Sequence, residues 1–117
     1  MIEISVDAEQ NLVVFKNSGQ GTKGTVDAAF RTVKRQFDTF GPVKLLIDWT
    51  EYDGVGGSAA DIARRILDAA DMVFRVAFVV DPRWKPEATH WMKLFDKTPV
   101  RLFEDRQAKD AHRWLIS

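Results

Sequence analysis

Val43–Arg65, VKLLIDWTEYDGVGGSAADIARR, sets the architecture of this chain. Leu45, Leu46 and Ile47 form an apolar strand that ends at Asp48. The run Asp53-Gly54-Val55-Gly56-Gly57-Ser58 reads as a glycine-rich loop, because its residues tolerate turn conformations that others resist. Ser58 stands three positions before Asp61, the spacing at which a hydroxyl and a carboxylate satisfy each other's backbone donors at the start of a helix. A strand that feeds a capped helix through such a loop is half of a parallel crossover unit.

Toward the N-terminus, Ile2, Ile4 and Val6 alternate with Glu3, Ser5 and Asp7, the period of a strand with one wet face. A turn at residues 8–11 leads to a second strand, Leu12–Phe15, and the two form a hairpin. Val26, Phe30, Val33, Phe37 and Phe40 then recur at helical spacing, opposite Arg31, Lys34, Arg35 and Asp38, which predicts an amphipathic helix closed by Gly41-Pro42. After the strand that ends at Asp48 and the glycine loop, a helix is expected over about 59–72, with Ile62, Ile66, Ala69 or Ala70, and Val73 inward. Phe74–Val80 is an almost continuous apolar run and reads as a central strand buried on both faces. A third helix is expected over about 84–96, with Pro86 tolerated in its first turn. Val100–Phe103 is a last strand, and Glu104-Asp105 cap a closing helix through Ala108, Ala111 and Leu115. Crossovers of this length require parallel pairing. The expected architecture is one α/β domain over residues 1–117, with a five-stranded mixed sheet, its first strand antiparallel, and four helices as successive β-α turns.

Composition bounds the function. At 117 residues there is room for one core. Seventeen basic residues balance seventeen acidic ones, so no global field favours nucleic acid, and nucleic acid is not an expected partner. With no cysteine there is neither a disulfide framework nor a thiolate metal site, and a reducing cytoplasm is the natural compartment. The N-terminus, Met1-Ile2-Glu3-Ile4-Ser5, lacks the basic start and apolar core of a secretory signal. No apolar run approaches the roughly 20 residues of a spanning helix.

Few residues carry chemistry. Asp48, Asp81 and Glu104 or Asp105 fall at the carboxyl ends of expected parallel strands, where open α/β sheets bind ligands. Three carboxylates there would suit Mg²⁺ and a metal-dependent hydrolysis at Asp48 and Asp81. The plainer reading makes them turn formers and helix caps, and no metal is assigned. His90 and His112 lie on separate helices without metal-pair spacing. The glycines do not form a dinucleotide fingerprint, and no serine sits in a nucleophile elbow. No catalytic residue and no cofactor is expected. Trp49, Trp84, Trp91 and Trp114 are a heavy aromatic load. Aromatics at helical spacing ordinarily pack a helix onto its sheet. The functional alternative puts Trp84, Trp91, Met92 and Phe95 on a third helix that lifts as a lid, opening an apolar pocket or meeting a bilayer, with Lys85, Lys93 and Lys97 at lipid headgroups. Ser58 is either an ordinary N-cap or, if phosphorylated, an anion on the positive end of a helix.

The order of these elements carries a resemblance. The opening Ile2-Glu3-Ile4, the strand Lys44-Leu45-Leu46-Ile47-Asp48, the strand Arg75–Val80 followed by Asp81 and Trp84, and the closing Ala111-x-x-Trp114-Leu115 together resemble the SpoIIAA-like family, which shares its fold with STAS domains. The resemblance covers essentially the whole chain. It implies a small bacterial α/β domain without catalysis, whose relatives are partner-binding switches or carriers of apolar ligands with membrane association. In the phosphorylation-switched STAS proteins the helix after the third strand opens on an Asp-Ser-Ser/Thr-Gly type of motif. This chain has Gly56-Gly57-Ser58 followed by alanines instead, which argues against a switch. The leading expectation is therefore a non-catalytic module for an apolar small molecule or the membrane surface, with Trp84, Trp91, Met92 and Phe95 as ligand contacts. The alternative is a regulatory protein-protein module of the anti-sigma-factor-antagonist type, using Gly54, Gly56, Gly57 and Ser58 as its contact loop. A homodimer is compatible with either.

Overall fold

The computed structural model describes residues 2–21, 23–55 and 59–117. Its elements are β1 (Ile2–Asp7), β2 (Leu12–Gly21), α1 (Lys23–Phe40), β3 (Val43–Val55), α2 (Ala59–Ala70), β4 (Val73–Val80), α3 (Lys85–Met92), β5 (Val100–Glu104) and α4 (Ala108–Ile116). The five strands lie in sequence order in a single sheet. β1 is antiparallel to β2, and every other pairing is parallel. This is the expected mixed sheet. β3 occupies its middle, one place over from the β4 expected there, and the run Val76–Val80 is buried throughout.

Register sorts side chains onto two faces because strand residues alternate. Phe15 pairs with Ile47, and Ile47 with Phe78, so these join one core with Ala29 and Val33 of α1 and with Ala88 and Trp91 of α3. Leu46, Ala77, Val79 and Phe103 point the other way, onto Ala111 and Leu115 of α4. Three helices thus cover one face and one helix the other.

The turns behave as their residues require. Gly41, at φ 88°, ends α1 with its N–H donating to the Phe37 carbonyl at 2.8 Å, a left-handed cap that residues with a Cβ adopt at a cost. Asn11, at φ 48°, closes the β1–β2 turn, and its Nδ2 donates to the carbonyls of Gly41 and Pro42 at 3.0 and 2.9 Å. One side chain therefore fixes the hairpin against the α1–β3 turn. Glu104 and Gln107 form a reciprocal capping box at the start of the closing helical segment, as the expected cap there required.

The largest departures concern β2, β3 and α3. The strands expected to end at Phe15 and Asp48 run on to Gly21 and Val55, because Ser18, Gly19 and Gly21 pair with Glu51, Tyr52 and Val55. A polar run such as Asn17-Ser18-Gly19-Gln20 has no apolar period to announce it as strand; its ladder partner supplies the reason. Gly54, expected in a loop, therefore lies in β3, at φ 100°, and a Cβ there would stand 3.8 Å from Trp84 Cη2. The expected reciprocal cap between Ser58 and Asp61 lies outside the described residues. The third helix is shorter than expected. Residues 82–84 form a 3-10 turn, α3 ends at Met92, and Leu94 and Phe95 donate to carbonyls three residues back. Phe40, expected inward, is 56 % exposed at the end of α1.

Candidate functional site

A local device in β3 builds the site. Between Lys16↔Asp48 and Ser18↔Glu51, β2 advances two residues while β3 advances three. The extra residue is a bulge, and it reverses the facing of the residues after it. Asp48 supports it: its Oδ1 accepts from the Thr50 N–H at 2.9 Å and from Thr50 Oγ1 at 2.7 Å, the turn by which a short acidic side chain bends its own backbone. Strict alternation would put Trp49 and Tyr52 on opposite faces. The bulge puts them on the same one, where their rings stack at 4.1 Å and 12°.

Around this stack, Phe78 meets Trp49 edge-on at 5.4 Å and Trp84 meets Tyr52 edge-on at 5.1 Å. Tyr52 Oη donates to Glu87 Oε1 at 3.2 Å, and Trp91 Nε1 donates to the same oxygen at 3.4 Å. Burial pushes the Tyr52 phenol pKa up, and the adjacent Glu87 charge and hydrogen bond push it further. Tyr52 is thus a neutral donor that pins α3 to the end of β3.

The same face of the sheet carries an apolar cavity of about 120 Å³, partly open to solvent. Its floor is Phe15, Leu45, Ile47 and Phe78, Ala29 and Val33 of α1 cover it, and Trp91 and Phe95 close one side.

Of the four expected ligand contacts, Trp91 and Phe95 line the cavity, while Trp84 and Met92 pack against the core without lining it. Trp91 and Phe95 are buried side chains of the core cluster as well as cavity wall. Lys85, expected at lipid headgroups, donates to Glu104 Oε1 at 2.6 Å. Lys93 and Lys97 are exposed. Of the expected contact loop, Gly54 lies in β3, and Gly56, Gly57 and Ser58 lie outside the described residues. Asp81 Oδ1 accepts from the Arg83 N–H at 3.0 Å. Glu104 pairs with Lys85 and Arg106, and the Lys85 hydrogen bond and charge hold its carboxyl below the usual range. These carboxylates act as turn formers, caps and ion-pair partners. Among the described residues no three His, Asp or Glu side chains converge on a metal position, and no helix is long and apolar enough to cross a membrane.

Sequence reasoning missed Tyr52, Glu87 and Arg65. Tyr52 was concealed by the bulge. Arg65 reads as an ordinary surface residue of α2, yet its Nε donates to Asp27 Oδ1 of α1 at 2.9 Å and its guanidinium lies 4.9 Å from the Phe30 ring centre. It lines the cavity with Phe30.

This geometry sits on a fold seen before. An uncharacterized protein with a SpoIIAA-like fold from Shewanella loihica superposes with a TM-score of 0.75 at 25% identity, over 98% of this chain and 92% of that one. Apo-SiaC from Pseudomonas aeruginosa gives 0.62 at 14% identity, over 88% and 90%. A chain of the complex of the diguanylate cyclase SiaD with its activator SiaC, from the same organism, gives 0.62 at 12% identity, over 89% and 92%. No curated protein matches the chain. The sequence itself matches the SpoIIAA-like family over residues 12–116, and with the sheet order, the hairpin opening and the Trp114-Leu115 close all in place, the chain belongs to the SpoIIAA-like family.

Proposed function

We propose that the chain is a non-catalytic regulatory module that works by binding another protein. The observation that carries this reading is the shared fold with SiaC, which is found in complex with the diguanylate cyclase SiaD as its activator. The site agrees in kind: Tyr52 and Glu87 are engaged with each other and with Trp91, which positions α3 and leaves neither of them free as a nucleophile or general base. The test is affinity capture followed by reconstitution from purified components. A stable complex in which the partner's activity changes supports the reading; a folded chain that reconstitutes with none of its captured proteins sinks it. The residues around Ser58 lack the switch motif, so Ser58→Asp is expected to recover the same partners as wild type. A partner held by wild type and released by Ser58→Asp would make Ser58 a phosphorylation switch.

A second reading has its own observation. The apolar cavity of about 120 Å³ supports the binding of an apolar small molecule, with Trp91 and Phe95 as contacts. Native mass spectrometry of freshly purified protein checks it, expecting a bound neutral hydrophobe. The membrane-surface form of this reading asks more of the fold, because Ala88, Trp91 and Phe95 face inward and α3 would have to lift to present them.

A further inference from the structure

The cavity's dimensions and wall constrain both its occupant and its route of access, on the second reading above. An apolar cavity of about 150 Å³ holds one benzene, so about 120 Å³ has room for one small ring or a short branched chain. A whole lipid tail exceeds that volume. The wall also has a direction. On one side it consists of buried side chains, Trp91 and Phe95. Elsewhere it consists of half-buried ones, Thr25, Val26 and Phe30 of α1 with Arg65, Ile66 and Ala69 of α2, and the paired Ile2 and Asn17 at the β1–β2 edge. Solvent therefore lies nearer along the α1–α2 seam and the β1–β2 edge than at α3, the helix that sequence alone made a lid. Across that seam stands Arg65. Its guanidinium is held by the Asp27 carboxylate at 2.9 Å and covers the Phe30 ring at 4.9 Å. Because Asp27 already compensates its charge, Arg65 offers little to an anionic guest, and the remaining described wall carries no charge: it is mainly apolar, with Asn17 Oδ1 and Trp49 Nε1 as buried polar atoms without a hydrogen-bond partner.

We propose that the cavity takes one uncharged hydrophobe of single-ring size, admitted through the α1–α2 seam, with Arg65 as the latch across the opening.

The probes are toluene, benzoate and hexadecanol, read by tryptophan fluorescence, since Trp49 and Trp91 both line the wall. Toluene is expected to bind saturably, one per chain. Benzoate, of the same shape but charged, should bind at least about tenfold more weakly. Hexadecanol should not compete. In Ala29→Leu, which fills the cavity, toluene affinity should fall about tenfold or more while the fold is retained by circular dichroism. In Arg65→Ala, toluene should associate faster in stopped flow with its affinity within about threefold of wild type. Hexadecanol displacing toluene would keep an apolar-ligand function but overturn the size limit. Benzoate matching toluene would overturn the uncharged class. Association that Arg65→Ala leaves unchanged but Tyr52→Phe, which frees α3, accelerates would overturn the seam and restore the lid. Binding by none of the probes would overturn the apolar-ligand reading itself.

Discussion

The two faces of the sheet are built on opposite terms. On the α4 side, Leu46, Ala77, Val79 and Phe103 meet Ala111 and Leu115, the last two fully buried. Two arginines finish that layer: Arg75 and Arg101 lie 5.3 and 5.6 Å from the Trp114 ring centre, and Arg75 Nη1 also donates to the Trp114 carbonyl at 2.7 Å. One short helix is enough because its inner residues, Ala111 and Leu115, are wholly buried and its end is tied by a cation. On the opposite side three helices and a set of large aromatics surround a cavity of about 120 Å³. Bulk, in other words, does not guarantee packing. Rings stacked on a bulged strand hold one another at fixed angles, and the space they leave cannot be filled by relaxing a single side chain.

The strongest challenge to this contrast is expected at Trp91. Because it is 7 % exposed and donates to Glu87, Trp91→Ala should cost about 3–5 kcal/mol in denaturant unfolding. A loss below about 1 kcal/mol would mean the cavity side carries little of the fold's stability.

Adding volume should then give opposite signs on the two faces. Ala29→Leu, at the cavity, is expected to stabilise by roughly 0.5–2 kcal/mol, as cavity filling commonly does. Ala111→Leu, at 0 % exposure on the inner side of α4, should destabilise by roughly 1–3 kcal/mol through overpacking. Equal signs from the two melting experiments would erase the difference between the faces.

A smaller effect concerns the contact that pins α3. Tyr52 is the chain's single tyrosine, so tyrosinate absorbance reports it alone. Its folded pKa is raised by burial first and by Glu87 second, above the unfolded value of about 10. Its contribution is therefore complete below that pH and fades as pH rises toward the folded value. Wild type should lose stability more steeply than Tyr52→Phe above about pH 10, and its phenol should ionise late. A phenol titrating at the ordinary value in the folded protein would contradict the burial of this corner.

The smallest effect lies at the surface pair Lys85–Glu104. The Lys85 hydrogen bond and charge lower the Glu104 pKa, so the pair favours folding above the unfolded carboxylate value of about 4.3 and this gain disappears as pH falls through the lower folded value. Lys85→Ala should move the Glu104 titration, followed by NMR, back toward the ordinary range, and the two proteins should melt alike in acid.

Much of the molecule is legible in its residues. Alternation in Ile2–Asp7, helical spacing through Val26–Phe37, the apolar run Val76–Val80 and the caps at Gly41 and Glu104 each follow from a local rule, and their order implies the mixed sheet that the structure shows. Half of the expected ligand contacts, Trp91 and Phe95, reach the cavity. The other half, Trp84 and Met92, pack against the core without lining the cavity, and Trp84 turns toward Tyr52 instead.

The period of each strand and helix, the balance of charge and the order of the elements are all written in the chain, since these depend on neighbours within a few positions. Three features came only with folding: Asn17–Gln20 becomes strand, a bulge after Asp48 turns Tyr52 onto the face of Trp49, and Arg65 spans two helices beside a void. Each depends on a partner roughly 30 or more positions away in the chain. Local periodicity holds no information about such a partner, because ladder bonds, register and unfilled volume exist only once distant segments have met.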